Sequence, residues 1–277
     1  MTRLLFLCAC LLYSAAAWAL KPVAQWWARP DTLGLTYQQL DLTTTDQVQL
    51  VAWLIEPRAD VPPQHTTLVV AGGDSYNMSG NLLLAQALAG AGYRTLLFDY
   101  RGFGHSQAVA LDLQRLYYEE FATDLRTALA EARRRTPAAD RVGVLGLSMG
   151  ALLGSKVAAT DHPDFLITEG YPGNLPAIVA YQQQARHKTV TLPAEAAAYP
   201  QVAAQVGCPW LLIAGNQDQY TPLADSAAAV QAARLPQRRQ LLAVRCGHLG
   251  AQQKLTRKTH ADGYVRAISR FLAGRKV

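Results

Sequence analysis

The chain has little cysteine and little charge for its length. Only four of its 277 residues are cysteine, and 17% are Asp, Glu, Lys or Arg. So few cysteines exclude a small disulfide-stapled domain, and 50% hydrophobic residues exclude a disordered polymer. The 26 Lys and Arg residues outnumber the 20 Asp and Glu, but they are scattered rather than clustered with aromatics as in nucleic-acid-binding proteins. Internal repeats and disordered linkers are also absent from the sequence, so one large α/β domain fits this length.

Long apolar runs are confined to the N-terminus, where Leu4–Ala19 follows the single charge of Arg3. This run is too short for a typical membrane span, and it ends in the small-x-small pattern that signal peptidase recognises. We therefore predict a signal peptide over residues 1–19, cleavage before Leu20, and a periplasmic or secreted product. Two alternatives stay open: an uncleaved anchor helix, and a membrane-anchored lipoprotein in which Cys10 carries the lipid.

Cleavage would leave two cysteines, Cys208 and Cys246. An exported protein with two cysteines invites a disulfide. The first is predicted at the start of one strand and the second just past the end of another. Parallel neighbouring strands would separate such positions by roughly 15 Å, whereas bridged Cα atoms lie within about 7 Å. The sequence therefore predicts two free thiols.

The remaining sequence alternates between strand and helix patterns. Two extended runs, Leu35–Leu42 and Val48–Ile55, predict an antiparallel hairpin. From Thr67 onward, short apolar runs alternate with helical stretches, which is typical of a parallel sheet covered by helices on both faces. The predicted strands are Leu68–Ala71, Thr95–Phe98, Val142–Leu147, Phe165–Thr168, Trp210–Ala214 and Leu241–Val244. The predicted helices are Gly80–Ala91, Leu113–Arg135, Met149–Thr160, Leu223–Ala233 and Thr259–Ala273.

One segment, residues 171–206, interrupts this alternation with several prolines and tyrosines. A segment of that length between strands is typical of a lid or of an excursion over a binding face. We therefore predict a single domain over residues 20–277 with a lid segment at about 171–206. Two roles stay open for its apolar side chains: a wall for acyl chains, or simple packing onto the body of the domain.

A serine pattern ends the strand predicted over Val142–Leu147. That strand runs into Gly-Leu-Ser-Met-Gly at residues 146–150, and a helical pattern follows. In a strand–turn–helix context, G-x-S-x-G lifts a serine hydroxyl above the edge of the sheet. Side chains two positions from the serine would collide in so tight a turn, which explains both glycines. Chance would produce about 0.04 such matches in this composition. Ser148 is therefore predicted to be a nucleophile, and a plain helix N-cap is its alternative role.

A nucleophilic serine needs a base, and the base needs a carboxylate that orients it. In this architecture the chain order is serine, acid, histidine. Asp218 follows the predicted strand Trp210–Ala214, and His248 follows the predicted strand Leu241–Val244. Because parallel strands direct these loops to one edge of the sheet, we predict a catalytic triad of Ser148, Asp218 and His248.

Other acids and histidines compete for these roles. Glu169, at the end of its strand, is the alternative acid, while Asp225 fits the first-turn charge of a helix. His105 is a candidate lining residue of the pocket. Three further histidines are predicted on the surface: His162, His187 and His260. Histidine, aspartate and cysteine show no spacing typical of zinc sites, so we expect no metal.

The reaction also needs backbone N–H donors that face the oxyanion. Met149, which follows the nucleophile, is predicted to supply one donor. The loop after Leu68–Ala71 should supply the other, and Gly73 is the first choice because a side chain there would obstruct the substrate. Asp74 is the second choice for this donor, and a bare turn is the alternative explanation of the glycine pair.

These motifs resemble those of serine hydrolases of the α/β-hydrolase superfamily, of esterase or lipase type, from about Leu35 to Phe271. Residues 98–106 are similar to the segment after the fourth strand of that superfamily, and residues 215–222 and 247–248 are similar to its acid and histidine loops. The resemblance implies the α/β-hydrolase fold: a mostly parallel eight-stranded sheet with helices on both faces and a short lid insertion. Residues 71–72 are Ala-Gly where many relatives have His-Gly, so no subfamily is assigned.

We therefore expect an exported serine hydrolase, a carboxylesterase, that cleaves a small-molecule ester through an acyl-enzyme on Ser148 and needs no cofactor. A thioesterase, an amidase or an acyltransferase would use the same triad. A non-catalytic binding protein of this fold is the alternative from another class. Nucleic acid is not an expected partner, and membrane association is expected only through an uncleaved or lipidated N-terminus.

Overall fold

The computed structural model describes residues 19–234 and 237–277. The signal peptide predicted over residues 1–19 lies outside them except for its last residue, so that prediction stays untested. Ala19 and Leu20 are buried, and the backbone N–H of each donates to the carbonyl of Leu113 at 2.8 and 3.0 Å. Cleavage before Leu20 would therefore place the new α-amino group against the folded domain.

Strands and helices alternate along the described chain. The strands are β1 (Lys21–Pro22), β2 (Tyr37–Thr43), β3 (Gln49–Ile55), β4 (Thr66–Ala71), β5 (Ser75–Tyr76), β6 (Arg94–Phe98), β7 (Arg141–Leu147), β8 (Leu166–Glu169), β9 (Trp210–Gly215) and β10 (Arg239–Val244). The α-helices are α1 (Leu82–Ala89), α2 (Glu120–Arg135), α3 (Met149–Asp161), α4 (Leu175–Arg186), α5 (Val202–Gln205), α6 (Leu223–Gln231), α7 (Ala251–Lys254) and α8 (Asp262–Leu272). Short 3₁₀ helices cover Pro30–Leu33, Met78–Asn81 and Ala194–Gln201.

Eight strands form one sheet in the order β10-β9-β8-β7-β4-β6-β3-β2. The hairpin of β2 and β3 is antiparallel, and β3 also pairs antiparallel with β6. The remaining neighbours in the sheet, β6 with β4, β4 with β7, β7 with β8, β8 with β9, and β9 with β10, are all parallel. The α/β-hydrolase fold with a mostly parallel eight-stranded sheet is therefore confirmed. A separate two-residue ribbon pairs Lys21 with Ser75 and Pro22 with Tyr76.

Both faces of the sheet are buried beneath helices. Along β4 every residue is buried, and alternate side chains enter different cores. Val69 packs on the face covered by α2 and α3, whereas Leu68 and Val70 pack on the face covered by α1 and α8. Burial on both sides explains why these strands are continuously apolar in sequence. The parallel direction of the strands brings the loops at their carboxyl ends to one edge of the sheet.

The helix predicted over Leu113–Arg135 begins instead at Glu120, so the prediction was wrong for residues 113–119. Residues 113–119 pair with the segment after β8: the Leu116 N–H donates to the carbonyl of Thr191, and the Thr191 N–H donates to that of Gln114. Apolar residues at helical spacing are thus buried there by tertiary contact rather than in a helix. The last predicted helix is also shorter and begins at Asp262, after the single turn of α7.

Residues 171–206 form helices α4 and α5 and the 3₁₀ helix between them, inserted between β8 and β9. Tyr171, Ile178 and Tyr199 are buried in the core, so these side chains pack onto the body of the domain. Tyr171 contacts the ring of Trp210 edge-on at 5.1 Å between centroids. The role of this segment as a lid stays a prediction.

Cys208 and Cys246 are free thiols, as the sequence predicts. Within residues 19–234 and 237–277, no helix is long and apolar enough to cross a membrane. The same residues contain no group of three or more His, Cys, Asp or Glu that is placed to hold a metal ion.

Candidate active site

Ser148 occupies a sharp turn between β7 and α3. Its backbone has φ 52° and ψ −113°, a conformation that non-glycine residues rarely adopt and that costs about 1–3 kcal/mol. Hydrogen bonds hold the turn: the Ser148 N–H donates to the carbonyl of Glu169 at 2.9 Å, and its own carbonyl accepts from Ala151 at 2.8 Å. Such localised strain, supported by neighbouring strands, is a feature of functional turns.

The two glycines of the motif are required by contact. A Cβ atom on Gly146 would overlap the carbonyl of Gly150, and one on Gly150 would overlap the carbonyl of Ala71 at the end of β4. The start of α3 therefore lies directly against two strands. This confirms the steric reason that the sequence suggests for G-x-S-x-G.

The structure brings the three predicted triad residues together. The Ser148 Oγ atom lies 2.9 Å from Nε2 of His248, and Nδ1 of the same ring lies 2.8 Å from Oδ2 of Asp218. Each residue follows a strand of the parallel sheet: β7, β9 and β10. Ser148 and Asp218 are buried and the imidazole is half-buried, so the chain of hydrogen bonds is largely shielded from solvent.

Asp218 is held by its own loop. Its Oδ1 atom accepts from the N–H groups of Tyr220 and Thr221 at 2.8 and 3.0 Å, and its Oδ2 atom accepts from the Thr221 hydroxyl at 2.6 Å. Burial alone would raise the pKa of this carboxyl. The hydrogen bond and charge of His248, together with the Thr221 donors, outweigh that effect and hold the pKa below its usual value.

Thr221 is the functional residue that sequence reasoning missed. Its Oγ1 atom also lies 3.1 Å from Nδ1 of His248, so it contacts both the acid and the base. An aspartate side chain that accepts from the backbone N–H groups of the second and third residues after it forms a well-known type of turn. An Asp-x-x-Thr sequence before a helix is the signal of this turn.

Two residues contact the imidazole ring from outside the triad. The Tyr220 ring meets that of His248 edge-on, with centroids 5.0 Å apart. Gly170, with φ +67°, lies beneath the ring, and a Cβ atom there would come within 2.9 Å of Cε1 of His248. Glycine at position 170 therefore satisfies both the backbone conformation and the space left by the histidine.

The alternative acids have other partners. The Glu169 Oε1 atom accepts from the Ala251 N–H at 2.8 Å, and Asp225 accepts from the N–H groups of Gly173 and Asn174. Each carboxylate thus anchors a loop, and neither bonds the imidazole.

The other histidines are apart from the triad. His105 is exposed and stacks on Trp26 at 3.6 Å between centroids, so it does not line the catalytic cavity. The three histidines predicted on the surface are exposed: His162, His187 and His260.

The predicted oxyanion donors flank the nucleophile. Met149 begins α3, so its N–H belongs to the first helical turn, whose donors have no partner inside the helix. A Cβ atom on Gly73 would lie 3.8 Å from Cβ of Ser148, so a side chain there would occupy the space beside the reacting hydroxyl. This placement is consistent with the predicted role of both groups.

A cavity of about 310 Å³ opens beside Ser148 and His248. Its lining is mainly apolar and aromatic, and includes Met78, Phe98, Tyr100, Phe103 and Leu147. A second, narrow pocket is also lined by Ser148 and is bounded by residues 116–117 and by Ile178 of α4.

Asp74 borders both spaces. Its Oδ1 atom accepts from the Ser75 hydroxyl at 3.0 Å, and burial raises the pKa of its carboxyl. The protonated form of Asp74 therefore persists to higher pH than that of an exposed aspartate.

Known structures share this architecture. An esterase of Pyrococcus furiosus, Pf2001, superimposes with a TM-score of 0.73 at 19% identity, over 93% of this chain and 100% of its own. A lidless α/β serine hydrolase of Xanthomonas campestris gives a TM-score of 0.55 at 20% identity, over 86% and 93% of the two chains. An acylaminoacyl peptidase of Pyrococcus horikoshii gives a TM-score of 0.60 at 18% identity, over 86% of this chain and 41% of its own chain.

A family model described as serine aminopeptidase, S33, matches residues 62–169, fewer than half of the chain. This range includes the loop at Gly73 and the turn at Ser148. The curated proteins contain no match to this sequence. The chain therefore has the α/β-hydrolase fold, and its partial match to a serine aminopeptidase family includes the turn at Ser148.

We expect Glu169→Gln to increase the free energy of unfolding at pH 7. Burial raises the pKa of the Glu169 carboxyl above its ordinary value of 4.5, so its ionised form costs stability wherever the unfolded carboxyl is ionised. The cost disappears as pH falls below the unfolded pKa. Urea denaturation should therefore show a more stable variant at pH 7 and no difference near pH 4, about where the unfolded carboxyl protonates.

The matched control is Glu195→Gln, because Glu195 is exposed. It should leave the free energy of unfolding unchanged at both pH values. A Glu169→Gln protein that is less stable than the wild type at pH 7 would contradict the prediction.

Proposed function

We propose that this protein is a serine hydrolase that cleaves a carboxylic ester through an acyl-enzyme on Ser148. The observation that carries the proposal is the hydrogen-bonded chain from Ser148 Oγ through His248 to Asp218, at 2.9 and 2.8 Å. A serine hydroxyl becomes an effective nucleophile when a base within hydrogen-bond reach removes its proton and a carboxylate orients that base.

In the first half of the reaction, His248 Nε2 accepts the proton of Ser148 as Oγ attacks the acyl carbon. The resulting oxyanion is held by the N–H groups of Met149 and Gly73, each such donor contributing about 3 kcal/mol. Asp218 holds the imidazole in the tautomer with a proton on Nδ1 and stabilises its protonated form. Collapse of the tetrahedral intermediate breaks the ester bond, and the leaving alcohol takes the proton from Nε2.

The second half repeats these steps with water. His248 accepts a proton from a water molecule as its oxygen attacks the acyl-enzyme. The same N–H groups hold the oxyanion, and Ser148 regains its proton as the carboxylic acid leaves. No cofactor takes part in this scheme.

An ester substrate is supported by the cavity and by structural similarity. The apolar lining beside Ser148, with Phe98 and Phe103 among its residues, suits an acyl group better than a charged one. The chain is also similar over 93% of its length to a protein described as an esterase.

Amide or peptide hydrolysis is the second candidate. It is favoured by the match to a model described as serine aminopeptidase and by similarity to an acylaminoacyl peptidase. Thioester hydrolysis and acyl transfer would use the same residues. A matched series of ester, thioester and anilide substrates with one acyl group would rank these reactions, and we expect the ester to be turned over fastest.

Ser148→Ala should lower the rate of p-nitrophenyl acyl ester hydrolysis by about 10³-fold or more. It should also abolish labelling by a fluorophosphonate. The variant removes the atom that forms the acyl-enzyme. Its circular dichroism should match that of the wild type. Ser155→Ala is the control, because Ser155 is a buried serine of the same helix whose hydroxyl bonds the carbonyl of Leu152. Undiminished labelling of Ser148→Ala would refute the proposal, and a wild-type protein that is never labelled would favour a non-catalytic binding protein.

Thr221→Val should lower kcat for ester hydrolysis about tenfold with little change in KM, because Asp218 and the imidazole lose a shared hydroxyl. Thr221→Ser retains the hydroxyl and should restore most of the rate. Steady-state kinetics with one p-nitrophenyl ester would measure both variants. A normal rate in Thr221→Val would show that the hydroxyl does not contribute to the geometry of the triad.

We also propose that the protein is exported and begins at Leu20. The support is the sequence pattern of residues 1–19. Expression of the full sequence, cell fractionation and N-terminal sequencing should give a periplasmic or secreted chain that starts at Leu20. A retained segment in the membrane fraction, or a lipid on Cys10, would favour the anchored alternatives instead.

A further inference from the structure

Large hydrophobic side chains are exposed in one region of the described chain. Within residues 19–234 and 237–277 they are Val23, Trp27, Tyr76 and Leu83, with 37, 58, 68 and 41% of their surface exposed. All four belong to two short segments, residues 23–27 and 76–83. We call these four side chains the apolar patch. Single exposed hydrophobics need no explanation, but their concentration in one place marks an interaction surface.

The two segments form one surface because they are hydrogen-bonded to each other. The Val23 N–H donates to the carbonyl of Tyr76 at 3.3 Å. The Trp27 indole N–H donates to the carbonyl of Ser79 at 2.6 Å, and the Trp27 backbone N–H donates to the Ser79 hydroxyl at 3.2 Å. The indole ring is thus fixed at its polar edge while most of its surface faces solvent.

The exposure of Trp27 contrasts with its neighbour. Trp26 packs against the hairpin, with its ring centroid 4.6 Å from that of Trp53 in β3. Most of the Trp27 ring is exposed instead.

The apolar patch is continuous with the catalytic cavity. Tyr76 belongs to the patch and also lines the cavity, together with Ser148 and His248. Its segment follows directly from Gly73 and Asp74, beside the nucleophile. The patch therefore adjoins the cavity beside Ser148 through Tyr76.

Positive charges lie beside the same edge. Lys21 pairs with Ser75 in the β1–β5 ribbon, next to Tyr76. Burial lowers the pKa of Lys188, the charges of Lys21 and Arg186 lower it further, and the charge of Asp74 raises it, so Lys21 and Arg186 both act on Lys188. A surface that combines exposed Trp and Tyr with adjacent cations is complementary to the interface of an anionic lipid bilayer.

We propose that the apolar patch docks on an anionic lipid surface and turns the cavity opening toward the lipid. The Trp27 and Tyr76 rings would insert at the headgroup level while Lys21 and Arg186 contact lipid phosphates. This surface is distinct from the N-terminal anchor that the sequence suggests, because every residue in it belongs to the folded domain. Docking itself is independent of catalysis; only the delivery of an acyl lipid to Ser148 rests on the proposed function.

The test measures sedimentation of the purified protein with phosphatidylcholine vesicles, with and without phosphatidylglycerol. The wild type should sediment with the anionic vesicles and much less with the neutral ones. Trp27→Gln/Leu83→Gln should reduce binding about tenfold, since it removes two apolar anchors. Neither residue lines the cavity, so hydrolysis of a soluble short-chain ester should be unchanged.

Charge variants provide matched controls. Lys21→Gln/Arg186→Gln should lose the preference for anionic vesicles. Arg134→Gln removes a charge from the last turn of α2, at the opposite edge of the sheet, and should bind like the wild type. Ser148→Ala should also bind like the wild type, so that failure of the proposed chemistry and failure of docking are distinguished.

A retained N-terminal segment would bind vesicles by itself, so a second measurement follows Trp27 directly. Brominated lipids should quench part of the tryptophan fluorescence of the wild type, and Trp27→Gln should lose that part. Absence of this quenching, or equal sedimentation of Trp27→Gln/Leu83→Gln and the wild type, would overturn the proposal. A dimer in light scattering that this double variant abolishes, without vesicle binding, would assign the patch to a second copy of the chain and overturn it as well.

Discussion

The close approach of α3 to the ends of two strands is the constraint on which the site depends. Gly150 contacts the backbone of Ala71 in β4, and Gly146 contacts Gly150 across the turn, so no side chain fits at either glycine. This packing forces Ser148 into its rare backbone conformation and lifts its hydroxyl above the sheet edge. The cost of that conformation is offset by the buried parallel strands around it, which have no room to relax. The position of the Ser148 hydroxyl is thus a consequence of core packing.

Residues 169–170 connect the nucleophile to the base. The Glu169 carbonyl accepts from the Ser148 N–H, while its carboxylate accepts from Ala251, three residues after His248. Gly170 leaves the space that the imidazole occupies, since a Cβ atom there would come within 2.9 Å of Cε1 of His248. One strand end therefore contacts both loops, which couples the geometry of serine and histidine even though Glu169 does not bond the ring. The arrangement explains why a buried carboxylate with an unfavourable environment is tolerated here.

The main features of the site could be predicted because they follow from local pattern and strand order. Ser148 has a motif, and the positions of Asp218 and His248 follow from loops at the carboxyl ends of parallel strands. Thr221 belongs to an Asp-x-x-Thr turn pattern, but that pattern does not show that its hydroxyl also reaches His248, because this contact depends on how the Asp218 loop folds. The start of α2 was missed for a related reason: residues 113–119 have helical periodicity, but contact with Thr191 determines their conformation. Tertiary contacts that join distant segments leave little trace in a single sequence.

Two carboxyls near the imidazole differ in environment, and this difference separates their roles. Hydrogen bonds from Thr221 and the charge of His248 hold the pKa of Asp218 low, so it stays ionised and stabilises a protonated imidazole. Asp74 borders the cavity with the Ser75 hydroxyl as its side-chain partner, and burial raises its pKa. An ionised Asp74 would oppose the negative charge that develops on the oxyanion, whereas its protonated form would not. Burial of Asp74 therefore favours the form that is compatible with catalysis at Ser148.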